Sequence, residues 1–203
     1  YRLNEALMTA FKLFTDEFSG WYLEMVKPAY QAPIDRKTLQ ATLQIFEDLM
    51  KVIHPFMPFI TEEIYQHITE RAEGESIMTS VLTLEAPNQA DAALLASMEQ
   101  AKQIISGVRA IRQSKNIVPR EEMTLEVVET EGADQSEAHD EALCQIIKKM
   151  ATLEAVHFVT QKSEGAQTFL IGTDEYAVPL GNLIVAEAEV KKAEAEIKRL
   201  QGF

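Results

Sequence analysis

Five cations stand close together in the sequence with no acidic residue among them. They are Lys102, Arg109, Arg112, Lys115 and Arg120. The whole chain has 19 basic and 32 acidic residues and a net charge of −13, so its overall field repels phosphate. A basic segment in such an acidic protein is typical of a phosphate-binding surface. The alternative is a solvated helix face that merely lacks acids.

The spacing of these cations predicts a shared surface for phosphates. Lys102, Arg109 and Arg112 follow steps of seven and three, which place them on one flank of a predicted helix. We expect them to hold phosphates, with Lys115 and Arg120 continuing the surface beyond the helix end. The planar guanidinium of Arg112 is also suited to stacking on a base or reading its edge.

A second and weaker group of cations surrounds the turn after the first predicted helix. It consists of Lys27, Arg36 and Lys37. Two aromatic residues on that helix, Trp21 and Tyr22, are candidates for stacking on unpaired bases. Trp21 lies in the apolar register, so we expect it in the core.

The sequence predicts binding and no catalysis. The four histidines lie far apart on different predicted elements, without a metal-ligand spacing: His54, His67, His139 and His157. Glu62 and Glu63 are adjacent, so their side chains diverge and do not form an acid–base pair. The eight glycines form no phosphate-binding loop. We therefore predict no catalytic residue, no metal and no cofactor in this chain.

Composition indicates a soluble globular protein of a reducing compartment. Hydrophobic residues make up 46% of the 203 residues, and no apolar run approaches the ~20 residues that a membrane span needs. The single cysteine, Cys144, excludes an internal disulfide and favours a cytoplasmic location. The chain starts at Tyr1 without Met or a signal peptide, so we expect a piece of a longer polypeptide.

The first half of the chain has helical periodicity. Apolar residues at steps of three and four predict a first helix with a wide buried stripe that ends before Pro28. Asp35 is the expected cap of a second helix, which ends at Pro55. Thr61 is the expected cap of a third helix, with Ile60, Ile64 and Ile68 on its apolar side. A fourth helix is predicted from near Asp91 through Ile111. Four antiparallel helices of this kind form a bundle.

The second half of the chain has mixed periodicity. Alternation predicts strands around residues 123–127, 156–160, 168–171 and 176–180, with a helix over 142–150 and a hairpin turn at 172–174. Residues 129–141 carry six acids and predict a solvated loop. Heptad spacing from Val185 predicts the start of a coiled coil. The expected fold is mainly α, namely an antiparallel bundle, a small α+β module and the start of a coiled-coil helix.

Several stretches resemble the class I aminoacyl-tRNA synthetases. Residues 54–66, HPFMPFITEEIYQ, resemble the helix junction of their anticodon-binding bundle. The valyl-tRNA synthetase family is indicated by further matches: FSGWYLE at 18–24 with Lys27-Pro28, VRAIR at 108–112 with NIVP at 116–119, YAVPLGNLIV at 176–185, and EAE at 187–189. Together these motifs extend over nearly the whole chain.

The resemblance implies domains, partners and chemistry. It implies an anticodon-binding bundle at 1–118, a connecting α+β module at 119–182 and a truncated coiled-coil start at 183–203. The expected partner is tRNA(Val), with no DNA and no membrane. The parent is expected to be a monomeric, cytoplasmic valine–tRNA ligase. The nucleotide-binding signatures of the family are absent from this sequence. The resemblance therefore implies that ATP is used by a catalytic domain upstream of this chain.

Two alternatives stay open. One is the equivalent region of an isoleucyl-tRNA synthetase, although members of that family tend to carry a Cys-rich zinc site that one cysteine does not provide. The other is a helical scaffold for a partner protein. A scaffold would bind without RNA affinity and without strong salt dependence.

Overall fold

A computed structural model describes residues 2–83, 89–128 and 141–181. The chain forms two compact units, Tyr1–Ala86 and Pro87–Phe203. It is mainly helical, as predicted, and contains one small mixed sheet. The predicted coiled-coil start at 183–203 and nearly all of the acidic loop at 129–141 lie outside the described residues. None of the described helices is both long and apolar enough to cross a membrane.

The first unit begins with three consecutive helical segments. Helix α1 spans Leu3–Lys12, a π-helix spans Leu13–Tyr22, and α2 spans Leu23–Val26. The predicted end before Pro28 is confirmed. A π-helix of this length is rare, because most π-helical hydrogen bonding occurs as single-turn bulges.

The apolar stripe of this first helical region is buried only in part. Phe18 is buried, and its ring stacks on those of Phe14 and Tyr22, with centroids 6.1 and 5.6 Å away. Leu3, by contrast, is 68% exposed, and Phe11 is also exposed. The prediction of a wide buried stripe is therefore wrong over α1, where Ala10 is the buried residue.

Helix α3 spans Arg36–Ile53 and begins as predicted. Asp35 precedes it, and its Oδ1 accepts a hydrogen bond of 2.9 Å from the backbone N–H of Thr38. This contact satisfies one of the N–H groups that a helix start leaves without a partner. The core of the unit is formed where α3 meets the aromatic residues of the π-helix; Phe46 stacks on Phe18 at 5.8 Å.

Helix α4 spans Pro58–Ile68 and begins earlier than predicted. Proline at the first helical position fixes φ near its helical value, so the helix begins there. Thr61 is consequently inside the helix and is not its cap. Its Oγ1 donates to the Met57 carbonyl at 2.8 Å and contacts His54 Nδ1 at 2.7 Å. Thr61 and Tyr65 are the buried residues of α4, whereas Ile60 of the predicted apolar side is exposed.

An ionic network ties the segment after α4 to α3. Glu47 of α3 accepts a hydrogen bond from Arg71 Nη2 and forms an ion pair of 3.0 Å with Lys51. The Arg71 guanidinium also lies 3.7 Å from the centroid of the Tyr65 ring. Burial raises the pKa of Glu47, but hydrogen bonds from Arg71 and Lys51 outweigh it and leave that pKa below the usual value. The segment continues to a 3-10 helix at Ile77–Thr79, where Ile77 is buried.

The second unit is a four-stranded mixed sheet with two helices. Its elements are α5 (Gln89–Ser114), β1 (Met123–Val128), α6 (Glu141–Ala151), β2 (Leu153–Val159), β3 (Gln167–Ile171) and β4 (Asp174–Val178). The strand order is β2-β1-β4-β3, with β1 parallel to β2 and antiparallel to β4. The predicted strands, helix and hairpin are confirmed, and Ile171 pairs with Asp174 across the hairpin turn.

Helix α5 packs on α6 and on β3 of this sheet. Its buried residues include Ile105 and Val108. Gly107 is explained by Phe169 of β3, because a Cβ at position 107 would overlap the Phe169 ring. A glycine within a helix is compatible with a neighbouring helix or a bound phosphate, but here the neighbour is an aromatic side chain on a strand.

Helix α5 lies in a different compact unit from the helices that precede it. The compact units divide near residue 86, so α5 belongs to the same unit as the sheet. The predicted functional domains at 1–118, 119–182 and 183–203 place it with the preceding helices. That division and the four-helix bundle stay predictions.

Candidate nucleic-acid interface

Arg112 is a buried structural residue. It is 9% exposed, and its Nη1 donates to the carbonyls of Val118 and Glu121 at 2.9 and 2.7 Å. Its Nη2 donates to the carbonyls of Ala151 and Thr152, both at 3.1 Å. Burial lowers its pKa, an effect that the Glu121 charge only partly opposes. The forked guanidinium thus joins the α5–β1 connection to the end of α6.

Arg109 reaches the same helix end. Its Nη2 donates to the Met150 carbonyl at 2.8 Å, although the residue as a whole is exposed. Together Arg109 and Arg112 contact three consecutive carbonyls at the C-terminus of α6. Those carbonyls lack partners within the helix and carry the negative end of its dipole, so cations are favourable there.

The other three cations of the basic segment have different surroundings. Lys102 is only 18% exposed and forms an ion pair of 3.2 Å with Glu99. Lys115 is half-buried just after α5, and Arg120 is exposed between α5 and β1. The five cations therefore do not form one uniform exposed ridge. Two of them, Arg109 and Arg112, face carbonyl groups of the same protein.

The second group of cations lies in the first unit and is exposed. Lys27 follows α2, and its Nζ is 3.1 Å from a Glu24 carboxylate oxygen. Arg36 and Lys37 occupy the first turn of α3 and are exposed. Cations are disfavoured at a helix N-terminus because the dipole is positive there. The stability of α3 therefore does not explain these two residues.

The predicted aromatic candidates are both half-buried. The Tyr22 hydroxyl is 3.2 Å from Thr42 Oγ1, and its ring belongs to the aromatic stack of the core. Trp21 lies beside it on the π-helix. The exposed aromatic residue near the second group of cations is Tyr30, which was not among the predicted residues. The signal that could have indicated it is a ring in a short turn between two prolines.

Other chemistry is not assembled among the described residues. Within ranges 2–83, 89–128 and 141–181, no group of three or more His, Cys, Asp or Glu is placed to hold a metal ion. Cys144 is half-buried on α6. The arrangement offers cationic and aromatic surfaces, which suit phosphate and base contacts.

Comparison with known proteins gives long matches. The valine–tRNA ligase of Phocaeicola vulgatus is 46% identical over 203 residues, and that of Bacteroides thetaiotaomicron is 48% identical over 205 residues. Each match covers 100% of this chain and 22% of the relative. A more distant relative, the valine–tRNA ligase of Agrobacterium fabrum, is 27% identical over 98% of this chain. The chain thus spans about a fifth of the length of these relatives.

The family match covers the first unit, the whole of α5 and strand β1. The family described as the anticodon-binding domain of tRNA ligase matches residues 1–129, which is more than half of the chain. This range includes both groups of cations and the HPFMPFITEEIYQ motif. The chain therefore belongs to the anticodon-binding domain family of tRNA ligases.

Proposed function

We propose that this chain is the anticodon-binding region of a valine–tRNA ligase. It would position tRNA(Val) while parts of the enzyme outside this chain attach valine with ATP. The observation that carries the proposal is the match to valine–tRNA ligases over the full length of the chain at 43–48% identity. The exposed cations of the first unit supply a physical basis for binding the RNA backbone.

The same relatives favour valine over isoleucine. The relatives from Phocaeicola vulgatus, Bacteroides thetaiotaomicron and Agrobacterium fabrum are all named valine–tRNA ligase. A charging assay on the full-length parent, comparing valine with isoleucine, tests this choice. Preferential attachment of isoleucine would favour the isoleucyl-tRNA synthetase alternative.

Exposed cations are the best candidates for binding the phosphates of the RNA. Arg36, Lys37 and Arg120 are exposed cations and are its main candidates. The remaining exposed or half-buried cations of the two groups already have interactions within the protein. They are Lys27, Lys102, Arg109 and Lys115. Arg112 acts through the fold, because its two Nη groups are directed at four carbonyls.

We also propose the following domain organisation, binding properties and oligomeric state. Residues 1–118 form the anticodon-binding bundle, residues 119–182 form the connecting α+β module, and residues 183–203 begin a coiled coil. The chain itself needs no cofactor, and it binds neither DNA nor membranes. The parent enzyme is a monomer in the cytoplasm.

The salt dependence of tRNA binding tests the role of the cations. We expect the Arg36→Ala/Lys37→Ala variant to bind tRNA(Val) more weakly than the unchanged 203-residue chain. The slope of log K against log salt should fall by about 0.7–0.9 for each phosphate that is no longer neutralised. Filter binding at a series of salt concentrations measures this slope.

Lys162→Ala is the matched control. Lys162 is an exposed cation of the second unit, and it forms an ion pair of 2.6 Å with Glu175. Its removal should leave the slope unchanged. An unchanged slope in the double variant would remove Arg36 and Lys37 from the interface. No measurable binding of tRNA(Val) would favour the protein scaffold.

A further inference from the structure

Tyr30 is an aromatic residue with almost no protein contact. Its side chain is 93% exposed. The other described tyrosines differ, since Tyr65 and Tyr176 are buried and Tyr22 is half-buried in the aromatic stack. An aromatic ring normally stabilises a protein by burying its large apolar area. The Tyr30 ring contributes little of that kind to this unit.

The backbone around Tyr30 is restricted. Pro28 and Pro33 fix φ at two positions of the α2–α3 connection. Between them the Ala32 N–H donates to the Ala29 carbonyl at 2.9 Å, and Gln31 has a φ of 63°. A ring presented on a restricted turn loses little conformational entropy on binding, which favours affinity.

The charges near Tyr30 distinguish it from Phe59, which is the other almost fully exposed aromatic residue in the described part of the chain. Phe59 is 91% exposed, but it is followed in α4 by Glu62 and Glu63. Tyr30 instead lies in the sequence between Lys27, whose Nζ pairs with Glu24, and the Arg36–Lys37 pair, which follows Asp35. All three cations are exposed, and they outnumber these two acids. Unpaired nucleotides are bound where an aromatic ring lies among cations, because the ring stacks on the base while the cations hold the phosphates.

We propose that Tyr30 stacks on an unpaired base of the tRNA anticodon loop. This inference rests on the proposed function and names a side chain that contacts a base. The phenol ring provides the stacking surface, and the neighbouring cations provide the electrostatic attraction. Stacking tolerates different bases, so Tyr30 contributes affinity more than sequence preference.

The test compares three variants of the 203-residue chain, Tyr30→Ala, Tyr30→Phe and Phe59→Ala. The probe is a tRNA(Val) transcript, and affinity is measured by filter binding. Tyr30→Ala should weaken binding about 5- to 150-fold, the range expected for one base stacked on an aromatic ring. The salt slope should stay unchanged, because Tyr30 neutralises no phosphate. Tyr30→Phe and Phe59→Ala should bind within about twofold of the unchanged chain.

A second readout reports stacking directly. Transcripts carrying 2-aminopurine at successive anticodon-loop positions should show fluorescence quenching at one position on binding. Tyr30→Ala should abolish this quenching, and Tyr30→Phe should keep it. Circular dichroism should show an unchanged melting temperature for Tyr30→Ala, since an exposed side chain contributes little to stability.

The outcomes separate this inference from the proposed function. If the unchanged chain does not bind tRNA(Val), the proposed function fails and the inference fails with it. If it binds with the expected salt slope but Tyr30→Ala has unchanged affinity and quenching, only the stacking role is overturned. An equal loss in Tyr30→Ala and Phe59→Ala would also overturn it, because the effect would not depend on the cations around Tyr30.

Discussion

Arg112 joins two segments that are distant in the sequence. Its Nη atoms donate to carbonyls at residues 118 and 121 and at residues 151 and 152. A lysine could not replace it, because one ammonium group lacks the planar fork that reaches both segments. Arg112 was predicted to read or stack on a base, but its guanidinium instead cross-links two segments of the second unit.

The structural role of Arg112 leads to a stability prediction. Arg112→Ala should lower the free energy of unfolding by about 2–4 kcal/mol, because the buried Ala151 carbonyl left without a partner costs about 1–3 kcal/mol and the three part-buried carbonyls add less. Arg112→Lys should also destabilise, since the ammonium satisfies fewer of these carbonyls. Urea unfolding followed by circular dichroism measures both variants.

The control for this prediction is Arg120→Ala. Arg120 belongs to the same basic segment but is exposed. Its removal should change the free energy of unfolding by no more than about 0.5 kcal/mol. Equal stability of the Arg112→Ala and Arg120→Ala variants would contradict the structural role.

At the scale of elements, α5 packs closely against the β3–β4 hairpin. The Phe169 ring stacks on that of Tyr176 with centroids 5.4 Å apart, and it occupies the space beside Gly107. The Tyr176 hydroxyl in turn accepts a hydrogen bond of 3.1 Å from Gln100 of α5. The absence of a Cβ at position 107 allows this approach of helix and sheet.

This packing reverses the usual effect of a Gly-to-Ala change in a helix. Alanine normally stabilises a helix interior by about 1 kcal/mol relative to glycine. Gly107→Ala should instead destabilise by about 1–3 kcal/mol, because the added methyl group forces the Phe169 ring to move. The melting temperature by circular dichroism should fall. In the exposed control, Ser106→Ala, it should stay the same or rise slightly, and a rise for Gly107→Ala would show that α5 does not pack this tightly.

At the scale of the whole molecule, the chain matches one part of much longer relatives. Its matches extend over 22% of the relatives, and the family that it belongs to is an anticodon-binding domain. We expect the 203-residue chain alone to show no valine-dependent exchange of pyrophosphate into ATP, whereas the full-length parent should show it. Labelled pyrophosphate measures the exchange. Activity of the isolated chain would overturn the assignment of activation to other parts of the enzyme.

Periodicity was sufficient to predict most elements of this fold. Asp35 as a helix cap, the end before Pro28 and the hairpin around residues 172–174 are confirmed, because local backbone preferences decide them. Burial on individual faces was less predictable. Leu3 and Ile60 fit an apolar period and are nevertheless exposed, since burial requires a neighbouring element that periodicity does not specify.

The sequence by itself determined the family, the mainly helical content and the presence of two groups of cations. Only the tertiary structure decided what each cation faces. Arg109 and Arg112 lie at the end of α6, while Arg36 and Lys37 are exposed. The physical reason is that a guanidinium is satisfied equally by a phosphate or by carbonyl groups, and charge spacing does not distinguish them. The positions of the helix ends and loops around each side chain make that distinction.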